Sequence, residues 1–185
     1  MDDKKVKGTM LLELVRMIRQ NKDKDWNKYL KPEDWEIINS KIMQIKWYPL
    51  DVYKRCGLAT FILIAQGNLD AARLWGRVSG EEMFSKTYKS IIAIKDPMNA
   101  LDRFVSYYGL LFNFSTLRFE KVESNYVKIY HGYDPNDKSN IPYCHQLMGI
   151  LDVLIEMTGG KDPKVNLTAK QWEGALESVF DIRWE

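Results

Sequence analysis

Near residue 109 the apolar residues of this 185-residue chain stop recurring at every third or fourth position and begin to alternate. Before that point Met10, Leu11, Leu14, Val15 and Ile18 fall at helical spacing. After it Ser115, Leu117 and Phe119 alternate with Thr116, Arg118 and Glu120, and Val127, Ile129 and His131 alternate with Tyr126, Lys128 and Tyr130. A period near 3.6 belongs to helices; a period of 2 belongs to strands with one buried face. Glu123-Ser124-Asn125 forms the turn that makes a hairpin of the two alternating runs. Residues 142–158 return to helix, apolar around most of the circumference, with His145, Gly149, Asp152 and Glu156 on one polar side. Thr158-Gly159-Gly160 closes that helix, Val165 and Leu167 begin a third strand, and residues 179–184 form a fourth. The fold class is therefore α+β: a helical N-terminal half packed on a four-stranded antiparallel sheet with ββαββ order. Residues 1–185 read as one domain, with 1–7 disordered, 8–112 helical and 113–185 forming the sheet part.

Within the helical half, Pro32 takes a first-turn position, with Glu33 and Asp34 near the positive end of the helix dipole. Trp47-Tyr48-Pro49 opens the next helix, and residues 52–65 are apolar on nearly all sides, as in a central helix. A short helix follows with Leu69, Ala72 and Trp75 inward and with Gly76 and Gly80 near its end. Ser79 and Glu82 have capping-box spacing for a separate helix through Phe84, Tyr88 and Ile91. Asp96-Pro97 starts one more, with Leu101, Phe104, Val105 and Tyr108 inward.

A net charge of +2 is too even to imply nucleic acid, and acidic residues cancel most of the basic N-terminal stretch. The start of the chain lacks the apolar region of a signal peptide, and the longest apolar stretch, residues 58–65, is too short to span a bilayer. The expectation is a cytoplasmic protein without membrane insertion, in which Cys56 and Cys144 are buried free thiols.

No catalytic motif stands out. His131 and His145 are the two histidines, too few for a metal centre at ligand spacing, and ordinary surface or satisfied histidines explain them. Cys144 and His145 are adjacent, so on a helix they point about 100° apart and cannot share a metal. Gly159-Gly160-Lys161 follows a helix instead of preceding one, which makes it a C-cap and not a phosphate loop. Residues 134–138 lack the glycine and late glutamate of a calcium loop and read as a turn. The chain is expected to be no enzyme, with no catalytic residues, no metal and no cofactor.

Several segments carry a family resemblance. Trp47-Tyr48-Pro49, residues 74–77, Asp96-Pro97 and the hairpin of residues 117–130 resemble an uncharacterised bacterial family of myxobacterial type. Residues 144–160, with Gly149 inside a helix and glycines after it, resemble the 4-vinyl-reductase-type small-molecule-binding domain, as does the ending Val179-Phe180-Asp181-Ile182. That group shares a fold with haem–nitric-oxide-binding sensors and with subunits of the TRAPP tethering complex. Val179 departs from the group, where many members carry Cys before that Phe, and the Tyr-x-Ser-x-Arg run of the haem sensors is absent. The resemblance implies the fold, a tendency to dimerise, and a pocket between helices and sheet. The expected function is a small-molecule-binding or sensory module with an apolar ligand, Phe61, Trp75, Phe104, Leu147 and Leu151 being the candidate ligand-binding residues. The alternative is a non-enzymatic homodimeric scaffold with a solid core.

Overall fold

The structure, a computed structural model, describes residues 4–114 and 117–185. The expectations for residues 1–3, Ser115 and Thr116 lie outside the described residues. The chain forms two compact units, one of residues 1–68 and 109–115, the other of residues 69–108 and 116–185.

In the first unit, β1 (Lys5–Lys7) pairs antiparallel with β2 (Trp47–Pro49), placing Val6 opposite Tyr48. Two expectations change here. Lys5–Lys7 are paired and so are not frayed. Trp47-Tyr48-Pro49 forms a strand, and Pro49, lacking an N–H, caps the helix that follows instead of lying inside it. α1 (Gly8–Gln20) buries Leu11, Leu14, Val15 and Ile18, and it packs on α3 (Leu50–Leu63). α2 (Pro32–Asn39) starts where its proline predicts, and the Lys31 backbone N–H donates to Asp34 Oδ2 at 2.8 Å. Asp34 is fully buried and accepts two further bonds from Arg55, from Nε at 2.8 Å and from Nη2 at 2.6 Å.

The second unit contains α4 (Leu69–Glu82), a π-helical turn (Met83–Thr87), α5 (Lys89–Ile92) and α6 (Pro97–Leu111) as far as Tyr108. The expected sheet part follows as β3 (Leu117–Glu123), β4 (Tyr126–His131), α7 (Asn140–Met157), β5 (Lys164–Ala169) and β6 (Ser178–Arg183). The sheet is antiparallel in the order β3-β4-β6-β5, so the second strand of each hairpin lies in the centre. Val127, Ile129 and His131 of β4 and Ser178, Phe180 and Ile182 of β6 are buried on one face. The alternate positions carry Tyr126, Lys128, Tyr130, Asp181 and Arg183.

α4 runs unbroken through Glu82, with no helix start at Ser79. Gly76 and Gly80 are not terminators; they let two helices touch. A Cβ on Gly76 would stand 1.9 Å from the Gln146 carbonyl oxygen of α7, and one on Gly149 would stand 2.0 Å from the Arg73 carbonyl oxygen of α4. The polar side of α7 is thereby turned toward α4. Arg73 donates to both carboxylate oxygens of Asp152, at 2.8 and 2.9 Å, and Arg77 donates to Glu156 at 2.6 Å. Asp152 is only 4% exposed, so this polar side is a helix–helix seam. No helix among the described residues is long and apolar enough to cross a membrane.

Candidate functional site

At the closing end of β4, strand alternation turns His131 to the buried face beside Ile129, and His131 pairs across the ladder with Ser178 of β6. Helical spacing on α6 turns Tyr108 inward, where it is 3% exposed. The first turn of α7 supplies Tyr143 and Cys144, and the loop after β4 supplies Tyr133. The rings of Tyr133, Tyr143 and Tyr108 surround the imidazole of His131, with centroids 4.9, 5.5 and 6.4 Å away. The Tyr108 and Tyr143 hydroxyls share a hydrogen bond of 2.6 Å. Those of Tyr133 and Ser178 share one of 2.7 Å, and the Gln171 backbone N–H donates to Ser178 Oγ at 3.0 Å. Trp172 stacks on Tyr133 with its centroid 6.3 Å away.

The preceding loop is held by its own polar side chains. Asn136 and Ser139 backbone N–H groups donate to the Asp134 and Asp137 carboxylates, and Asn140 Nδ2 donates to the Asp134 and Asp137 carbonyls. These are turn bonds, as the sequence reading expects for residues 134–138. Among the described residues no group of three His, Cys, Asp or Glu side chains could hold a metal ion.

Burial governs the chemistry of the cluster. It pushes the Cys144 thiol up to about 12, so the thiol is protonated at neutral pH, and it holds the Tyr133 phenol well above the usual range. The cluster presents protonated hydroxyls, a thiol and an imidazole between aromatic faces. A thiol held protonated is a poor nucleophile, whereas hydroxyl, imidazole and ring groups are suited to hydrogen bonds and ring contacts with a ligand.

The sequence-chosen residues are distributed differently. Phe61 lies half-buried on α3 in the first unit, and the other four lie in the second. Trp75 is half-buried on α4, Phe104 packs edge-on against Phe84 at 6.1 Å, and Leu147 and Leu151 are buried on α7. Sequence reasoning misses Tyr133 and Tyr143, because aromatic residues in apolar patterns read as core, and Ser178, which stands just before the expected fourth strand at 179–184. The available signal was His131: an imidazole on the Val127–Ile129 face needs polar company nearby.

His145 sits half-buried on the α7 stripe, and burial followed by the charges of Arg73 and Lys170 lowers its pKa below the usual 6.5, against a smaller upward pull from Asp70. The unfolded chain then binds this proton more readily than the folded one. The stability contribution is fully present above pH 6.5 and is lost as pH falls below that value toward the lowered folded pKa. His145→Gln is expected to flatten the dependence of urea midpoint on pH between about 5 and 7 relative to the parent; unchanged slopes would remove His145 from that role.

No protein-family model matches the sequence, and no curated protein matches it. Solved structures do match. An H-NOX protein from S. oneidensis, in the Fe(II)NO ligation state, aligns over 97% of this chain and 99% of its own at 13% identity, with a TM-score of 0.64. The Fe(II) unliganded H-NOX protein from K. algicida aligns over 97% and 96% at 11% identity, with a TM-score of 0.62. The fold is that of the H-NOX domains. This bears out the fold kinship with haem–nitric-oxide-binding sensors that the sequence resemblance implies, including its helices-then-sheet order.

Proposed function

We propose that this chain is a non-enzymatic binding or sensory module for a small molecule, which docks at the Tyr108–His131–Tyr133–Tyr143–Ser178 cluster of the second unit. The observation that carries the reading is the concentration of hydroxyl, imidazole and ring groups from α6, β4 and the loop after it, α7 and β6 at one place. Binding sites combine apolar and aromatic walls with a few convergent polar groups. The chemistry favours an uncharged ring-bearing ligand with one or two hydrogen-bonding atoms, since a buried ionised ligand would need a counter-charge. Leu147 and Leu151 are buried on α7, and Phe104 on α6, the helices that also carry Tyr143 and Tyr108.

The test is native mass spectrometry of the purified protein, followed by amide NMR titration with indole as the probe. The expected result is a co-purifying mass or saturable shifts around Tyr133, Tyr143 and Trp172 that Tyr133→Ala removes. No added mass and no shift up to millimolar indole would overturn the reading.

A second reading, the homodimeric scaffold, draws on Leu74 and Val78, which stand one turn apart on α4 and are 62% and 57% exposed. Sedimentation as a monomer at high concentration would end it.

A further inference from the structure

We infer that this chain uses the H-NOX fold without haem. The inference stands on the fold, on the chain's own donor and cation sets and on the packing around His131, the same cluster at which the smaller ligand is proposed to dock.

An iron porphyrin needs an axial donor, and imidazole and thiolate are two that proteins commonly supply. The whole sequence contains two histidines. One, His131, is 4% exposed, and rings from three different segments stand around it at 4.9–6.4 Å, where a macrocycle would have to lie. Two of those rings are tied to each other through the 2.6 Å bond between Tyr108 and Tyr143, and the third is tied to Ser178. The other, His145, shares the stripe of α7 on which Gly149 brings the α4 backbone within contact distance. A flat macrocycle cannot enter a seam where a single methyl group already collides. Cys56 and Cys144 are both buried, with thiols pushed up to about 12, so neither is poised as a thiolate ligand.

Four arginines of the sheet and of the α4–α7 seam, which could otherwise meet the two haem carboxylates, are likewise committed. Arg118 and Arg183 hold outward positions on the sheet, opposite to His131, where they lie over the Tyr130 and Tyr126 rings at 3.7 and 3.9 Å. They also pair with Glu177 at 3.1 Å and Asp181 at 3.3 Å. Arg73 and Arg77 are bound to Asp152 and Glu156 within the α4–α7 seam. No Tyr-x-Ser-x-Arg run occurs anywhere in the sequence.

The test is a hemin titration of the full chain followed by absorption spectroscopy, with dithionite reduction and nitric oxide, and an H-NOX protein from S. oneidensis run in parallel as the positive control. The expected result is the spectrum of free hemin with no saturation at one equivalent, no sharp Soret band and no nitric-oxide-dependent shift, unchanged in His131→Ala and His145→Ala. Circular dichroism confirms that each variant is folded. A saturable one-to-one Soret band that shifts with nitric oxide would overturn the inference, whether a histidine variant abolishes it or another donor sustains it. This result is separable from the proposed function, since indole shifts at Tyr133 can be present or absent in a chain that ignores hemin.

Discussion

Gly149→Ala is expected to destabilise the second unit by about 3 kcal/mol, the upper range for an overpacked interior. In an ordinary helix this change is favourable by about 1 kcal/mol, because alanine loses less backbone entropy on folding. Here the contact decides the sign. The new methyl group would stand 2.0 Å from the Arg73 carbonyl oxygen and the Arg77 backbone nitrogen is 2.7 Å away, and backbone atoms cannot rotate aside. The helices must separate, and separation also pulls Arg73 from Asp152 and Arg77 from Glu156. Gly109→Ala is the matched control. That glycine lies in α6 with nothing within 4 Å of the added carbon, so a gain of up to about 1 kcal/mol is expected. Urea unfolding followed by far-ultraviolet circular dichroism checks both. Equal midpoints for Gly149→Ala and the parent would mean that the two helices do not cross this closely.

Arg55→Ala is expected to cost about 3–5 kcal/mol, as breaking a buried ion pair does when a charge is left behind. The charge left behind is Asp34, which is fully buried. Asp34→Ala should cost less, because the Arg55 side chain is 22% exposed and can recover water. The aspartate substitution still loses the acceptor of the Lys31 N–H, about 1 kcal/mol for a helix cap. The prediction is thus an order: removing the exposed partner does more harm than removing the buried one. The same urea midpoints, measured for both variants, test it, and the reverse order would show that Asp34 finds other partners once Arg55 is gone.

The sheet was legible because alternation is a local signal: Val127, Ile129 and His131 announce a face without knowing what covers it. The helical half was legible wherever an apolar stripe met a proline, as at Pro32 and Pro97. It failed where a residue acts across the fold. Gly76 and Gly80 end helices in many sequences, and nothing nearby says that α7 will come within contact distance. The polar stripe of His145, Gly149, Asp152 and Glu156 is visible in the sequence but its partners are not, since Arg73 and Arg77 lie some 79 positions away. The cluster around His131 joins Tyr108 to Tyr143 and Tyr133 to Ser178, contacts separated by 35 and 45 positions. Tyr108 is inward by helical spacing alone; that three tyrosines meet at one imidazole is a property of topology and not of any window of sequence.

The order β3-β4-β6-β5 puts the last of the four strands in an interior place. During synthesis, the first hairpin can close as soon as residue 131 is clear, yet its inner edge waits for β6, which begins at Ser178. Until then β4 offers a row of unpaired backbone groups, the kind of edge that invites pairing with other chains. Ser178 also carries the hydroxyl that anchors Tyr133. A nascent chain therefore cannot assemble the cluster early, and one shortened by its final eight residues would have its sheet split down the middle.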